Sequence, residues 1–296
     1  MTDRLSILHA ADAPRAEASI APAKVAAYAL GLGDDALILS QRLAEWISNA
    51  PELEEDVALG NIALDVLGHA RALLTYAGSA TGRTEDDLAY FRDEAEFRSR
   101  WIFELPIGDF AFTVCRQLVV SLYFGALYRR LADSSDPVLS AIAAKAVKEV
   151  AYHAEHAMLW TRRLGLGTDE SHRRMQRALS DLWPFVGELF APDPAADGLA
   201  ESARGDAESG RGGAVIHTPD ALSRTPDALS AVVVAPGELR DEVMSALEAT
   251  LRDAGLEVPD APFLAGGGRA GRHSETFGHL IAEMQVLARA HSGATW

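Results

Sequence analysis

The sequence predicts an all-α protein, and three observations carry that prediction. Hydrophobic residues make up 48% of the 296, and the long Ala- and Leu-rich stretches hold few β-branched runs, which favours helix over sheet. Apolar residues recur at steps of three and four through four long segments. Proline, glycine and capping residues fall at the ends of those segments, where helices start and stop.

Pro22 sits where the first helix begins, and helical spacing runs to Ala50, where Pro51 ends it. The second opens with acids that suit the helix dipole, in "ELEEDVALGNIALDVLGHARALLTYAG", and ends near Gly78. Thr84 and Asp87 are spaced as a capping box for a short helix reaching Arg92, and a loop-like passage leads on to Gly108. The third long helix spans about Asp109 to Ala132. Asp136 and Pro137 read as N-cap and first turn of the fourth, which ends near Gly165. Tight turns join the first pair and the last pair, while a long crossover separates the pairs. Two hairpins joined by one crossover is the ferritin-like form of a four-helix bundle. A fifth helix, about Glu170 to Phe190, is expected against its outside, and helical spacing returns over Gly237–Ala254 and Glu275–His291.

The chain divides into a loose leader (1–22), the bundle (23–193), a Gly-, Ser- and Asp-rich flexible insert (194–235) and C-terminal helices packing on the bundle (236–296). The insert repeats TPDALS seven residues apart, too short a unit for a repeat fold. Net charge is 27 − 43 = −16, which disfavours nucleic acid. The single cysteine, Cys115, excludes an intramolecular disulfide and reads as a small apolar filler. No uninterrupted apolar run approaches the roughly 18 to 20 residues that span a bilayer, and the N-terminus lacks a signal-peptide core. A soluble, cytoplasmic protein without membrane contact is expected.

A carboxylate-bridged di-iron site in such a bundle asks for one Glu from each of two helices and a Glu-x-x-His pair from each of the others. The fourth helix carries the stripe Val138, Ile142, Glu149, His153, His156, Trp160, apolar at its ends and polar in the middle. The second carries Ala58, Ile62, Asp65, His69, Ala72, Tyr76, of the same form, and the first offers Glu45. The required histidine positions, however, hold Gly68 and Tyr152, and His69 and His153 lie one residue further on, about 100° round the helix. "FAFTVCRQLVVSLYFGALYRRLA", Phe110 to Ala132, contains no acid at all, so the third helix has no ligand to give. Lys148, beside Glu149, is the expected replacement for metal charge, pairing with buried carboxylates. The predicted outcome is a degenerate site with no metal ligand. The alternative is an independent metallo-oxidase with an unusual set drawn from Glu45, Asp65, His69, Glu149 and His153.

With these residues in view, "LGDDALILSQRLAEW", "APELEEDVALGNIALDVLGHAR", "DPVLSAIAAKAVKEVAYHAEH", "LGLGTDESHRRMQRALSDLWPFVGELF" and "AEMQVLARAHSGATW" resemble the C subunits of bacterial phenylacetyl-CoA epoxidases, over roughly 25–193 and 263–296. The resemblance implies a non-catalytic, ferritin-like subunit that supports a catalytic A subunit holding the di-iron centre. Further subunits and an iron–sulfur flavin reductase supply electrons. It carries no cofactor and no catalytic role onto this chain, and by matching position makes Glu45, Asp65, Lys148, Glu149 and His153 the pseudo-site. Residues 198–233 depart from the helix-rich connection usual in that family.

An acidic protein that meets the phosphates of coenzyme A needs a local basic spot. "FRDEAEFRSRW" supplies Arg92, Arg98 and Arg100 interleaved with Phe97 and Trp101, and the substrate contact is expected over Glu96, Phe97, Arg98 and Ser99. A weaker candidate is "GGGRAGRH", Gly266 to His273, read as a mobile loop with Arg269 and Arg272.

Overall fold

The computed structural model describes residues 19–199 and 232–294. The expectations of a loose leader over most of 1–22 and a flexible insert over most of 194–235 fall outside the described residues.

Helix α1 (Ala23–Ala44) starts behind Pro22, whose carbonyl accepts the Ala26 N–H at 2.8 Å. It ends earlier than the proline at 51 suggests. Ser48 sits in the left-handed region at φ 70, and its N–H donates to Asp56 Oδ1 at 2.6 Å, so hydrogen-bonded turns replace the last helical turns. Helix α2 (Leu53–Ser79) follows with Glu54, Glu55 and Asp56 in its first turn. The two helices approach closely at Gly33, where a Cβ would lie 2.8 Å from Leu74 Cδ2.

The crossover is more ordered than a loop. It holds α3 (Glu85–Tyr90), entered through the predicted Thr84–Asp87 capping box, then a 3-10 turn (Glu94–Glu96) and α4 (Trp101–Glu104). Helix α5 (Phe110–Leu131) is capped by Asp109, which accepts the Phe112 N–H at 2.9 Å. Helix α6 (Pro137–Gly165) is capped as expected by Asp136, which accepts the Val138 and Leu139 N–H groups at 3.0 and 2.9 Å. Helix α7 (Asp169–Val186) runs on into a 3-10 turn (Gly187–Phe190), and α8 (Arg240–Asp253) and α9 (Phe277–Ala290) complete the described chain. There is no strand among the described residues.

α1 packs on α2 and α5 on α6, and α2 faces α6, which makes an all-α, ferritin-like four-helix bundle. α7 and α8 cover α5 and α6 from outside, and α9 covers α3 and its neighbouring turn. The bundle interior is filled by aromatic contacts rather than by a polar layer across all four helices. Phe103 stacks on Phe124 (centroids 5.4 Å apart), Phe124 stacks on Tyr128 (5.6 Å), and Trp46, Phe110 and Trp160 meet edge-on. The fully buried rings, Phe103 and Tyr128 among them, each stabilise the fold by about 1.5–3 kcal/mol, and the half-buried Phe110 and Trp160 by less. Cys115 is buried and free, the filler its neighbours predicted.

One expectation is corrected. α2 and α5 are each long and apolar enough to cross a membrane by length and composition, with mean hydropathy 1.3 and 1.5 in their best windows. Scattered small and polar residues break the uninterrupted run without lowering the average. The α5 window is 83% buried, as befits a core helix, whereas the α2 window is only 44% buried.

Candidate functional site

The inner faces of α2 and α6 meet along an antiparallel seam of carboxylate–imidazole pairs. His69 Nε2 lies 2.7 Å from Glu149 Oε2, and His153 Nε2 lies 3.0 Å from Asp65 Oδ2. Each helix thus offers a carboxylate and, four residues on, a histidine, and each histidine meets the carboxylate of the other helix. The seam extends to His156 and Glu55 at 2.8 Å, and to Tyr76, whose hydroxyl donates to Asp136 Oδ2 at 2.7 Å. The spacing of four, which misses the di-iron geometry, is the one that fits this reciprocal pairing.

Both histidines in the central pairs are buried, while the Asp65 and Glu149 side chains keep 38% and 26% of their exposure. Burial pulls the His69 and His153 imidazoles below their usual range, against the opposing pull of Glu149 and Asp65. Geometry agrees for His69: its Nδ1 is buried with no hydrogen-bond partner, so a second proton there would be an unpaired buried N–H. In each pair the neutral ring donates from Nε2 to the facing carboxylate.

Lys148 does not join them. It is exposed and makes no ion pair among the described residues, because it lies on the outer face of α6; the expectation of a buried lysine is wrong. Lys145, one turn before Glu149, comes within 3.9 Å of it from solvent. Glu45 is also turned elsewhere. It accepts from Arg42 Nη1 at 2.7 Å, while Arg42 donates to the Glu104 carbonyl. Behind this pair lies Arg116, buried on α5, whose guanidinium is pushed down to about 9 by burial and by Arg42, with Glu45 opposing. The first helix therefore gives its carboxylate to an arginine pair rather than to the seam.

These residues do not fit a di-iron centre. α5 has no acid, Glu45 is held by Arg42, and both seam histidines present Nε2 to a carboxylate. Among the described residues no three His, Cys, Asp or Glu side chains gather as metal ligands.

The basic spot read from the crossover has a different fate. Arg92 forks onto Asp34, and Arg100 Nη1 meets Asp35 Oδ2 at 2.7 Å; all four are buried. Arg269, from the glycine-rich segment, reaches Asp35 Oδ2 at 2.6 Å and Asp193 Oδ2 at 2.8 Å and also donates to the carbonyls of Gly31 and Arg98. His273 faces Glu104 at 2.7 Å, and Glu188 accepts the N–H groups of Gly267 and Gly268. "GGGRAGRH" is therefore no mobile loop but the fastener of a buried knot that ties the C-terminal segment to the crossover and α1. Arg92, Arg100 and Arg269 spend their charge inside the protein, and no fork of theirs is left for a phosphate.

Residues 8–296 match the family described as phenylacetic acid catabolic protein. The chain belongs to that family. It is also similar to the C subunit of the 1,2-phenylacetyl-CoA epoxidase of Escherichia coli (strain K12), 40% identical over 274 residues that make up 92% of this chain and 99% of the relative.

Of the stretch Glu96 to Ser99 in this family member, Phe97 and Ser99 are buried, Phe97 against Phe277 and Ser99 with its hydroxyl on Glu104. Glu96 is exposed but closes the 3-10 turn by accepting the Asp93 N–H. Arg98 alone borders a cavity, of about 440 Å³, together with Lys24, Leu30, Gly31, Pro194 and Arg269. The acids Asp34 and Asp35, which organise the knot, were not singled out as functional in the sequence. Their signal was present: two adjacent acids inside an otherwise apolar helix must be paired if that helix is buried.

Proposed function

We propose that this chain is the non-catalytic supporting subunit of a multicomponent oxygenase that epoxidises the aromatic ring of phenylacetyl-CoA. In this reading a ferritin-like A subunit beside it holds the di-iron centre, and further subunits and a reductase deliver electrons in the cytoplasm. The observation that carries the reading is the reciprocal seam. His69 with Glu149 and His153 with Asp65 satisfy each other across α2 and α6, while the facing helix α5 has no acid, so bundle cohesion takes the place of metal chemistry. Membership of the phenylacetic acid catabolic family and the 40% identity to the C subunit of an epoxidase support the choice of reaction. The cavity lined by Arg98, Lys24 and the apolar Ala27, Leu30 and Pro194 suits a peripheral contact with the acyl-CoA.

The test is reconstitution. Co-expressed with the A subunit and supplied with the remaining components, the chain supports ring epoxidation. The double variant Asp65→Asn, Glu149→Gln, once assembled, keeps turnover per iron centre. Arg98→Ala raises KM for the acyl-CoA several-fold and leaves kcat unchanged. An assembled complex in which the seam variant abolishes turnover overturns the reading.

A further inference from the structure

The outward face of α2 is unusually apolar for a surface. Leu53, Val57 and Leu64 stand at helical steps of four and seven and are 75%, 55% and 66% exposed. Across the seam on α6, Tyr152 and Leu159 are exposed as well. The pairing of Asp65 with His153 and of Glu55 with His156 sets α2 and α6 antiparallel and brings these five side chains to one end of the helix pair, where α2 begins and α6 ends. Scattered exposed leucines are ordinary, but a two-helix apolar face rimmed by charge marks a contact surface.

Two further features say what covers it. Gly60 and Gly68 lie on the same side of α2, and a Cβ on either would meet nothing within 4 Å, so another helix has room to approach the backbone. Between the two apolar flanks lie the carboxylates of Asp65 and Glu149, each bound by one imidazole and still part-exposed. Among the described residues Lys145, itself exposed, is the one cation that comes near them from outside, at 3.9 Å from Glu149. An apolar partner that buries this strip must bring a cation to it or strand two carboxylates, and an anionic lipid surface brings the wrong charge.

We infer that this α2–α6 face is the docking surface for the companion A subunit of the oxygenase, which presents a helix carrying arginine or lysine between apolar side chains. The inference rests on the subunit reading above and adds the surface and the chemistry that fits it.

The experiment follows the full-length chain co-expressed with the A subunit, by size exclusion with light scattering and by a binding titration. Gly68→Leu fills the open space over α2; with nothing near its Cβ and a mid-helix glycine removed, the isolated chain melts no lower than wild type. Gly68→Leu and Leu64→Glu each weaken association at least about tenfold. Val286→Glu, on the exposed face of α9, leaves it unchanged. If all three variants assemble like wild type, the face is wrong while the subunit reading stands. If wild type itself does not assemble with the A subunit, the subunit reading falls and the docking surface with it. Self-association of the isolated chain that Leu64→Glu abolishes, or its capture by vesicles of anionic phospholipid, names a different occupant and also overturns the inference.

Discussion

The α2–α6 seam and the knot at the crossover both hold carboxylates against basic side chains, yet they are built for different purposes. In the knot the bases are mostly arginines, the acids Asp34, Asp35 and Asp193 are buried, and Arg100 and Arg269 both tie α1 to the segment at Asp193. The arginine fork fixes direction and each fork in the knot meets a buried carboxylate, so the knot is a permanent clamp. In the seam the bases are neutral histidines and the carboxylates still reach water. The difference teaches where to look for function. Charge that is sealed and balanced holds the fold, and charge left half open on a helix face is available to something else.

That contrast sets an order of effects. Asp35→Asn leaves Arg100 and Arg269 without their shared carboxylate in a buried site, and a loss of about 3–5 kcal/mol is expected in denaturant unfolding. An unchanged midpoint would mean that the knot is no clamp. Asp65→Asn weakens one hydrogen bond to a side chain that is 38% exposed, so the loss is discounted to about 1 kcal/mol. A loss as large as that of the knot variant would erase the distinction.

Acid should separate the regions too. The seam histidines are neutral when folded and bind protons more readily when unfolded, so stability rises with pH wherever the unfolded chain holds more protons. Their contribution is complete above about 6.5, the ordinary histidine value, and declines as pH falls below it. The double variant His69→Gln, His153→Gln should flatten the dependence of the unfolding midpoint between neutral pH and about pH 5. A slope that survives both substitutions assigns it elsewhere. The smallest effect belongs to Lys148→Met, an exposed site, where a change within about ±0.5 kcal/mol is expected. A larger loss would restore the buried lysine that the sequence suggested.

Much of the bundle was legible because its punctuation is local. The Thr84–Asp87 box, the Asp136 cap before Pro137 and the acid-free α5 all act within a few residues. The carboxylates and histidines of the seam were legible as a stripe, since helical period places Asp65, His69, Glu149 and His153 on inner faces. Their partnership was not, because which carboxylate meets which ring depends on the antiparallel register of two helices far apart in sequence. Lys148 misled for the same reason: adjacency to Glu149 along the chain means a turn of about 100° around the helix. The arginines of the crossover misled because their partners, Asp34 and Asp35, lie on another helix, and a basic cluster looks the same in sequence whether it faces phosphate or buried acid. Ser48 shortened α1 through a backbone conformation that its residue type does not advertise.

The most direct test of the supporting role is the iron and manganese content of this chain, purified alone from cells grown in metal-replete medium. The paired seam and the acid-free α5 predict essentially no metal per chain. About two ions per chain, the complement of a di-iron site, would contradict the account and make the chain an oxygen-activating enzyme in its own right.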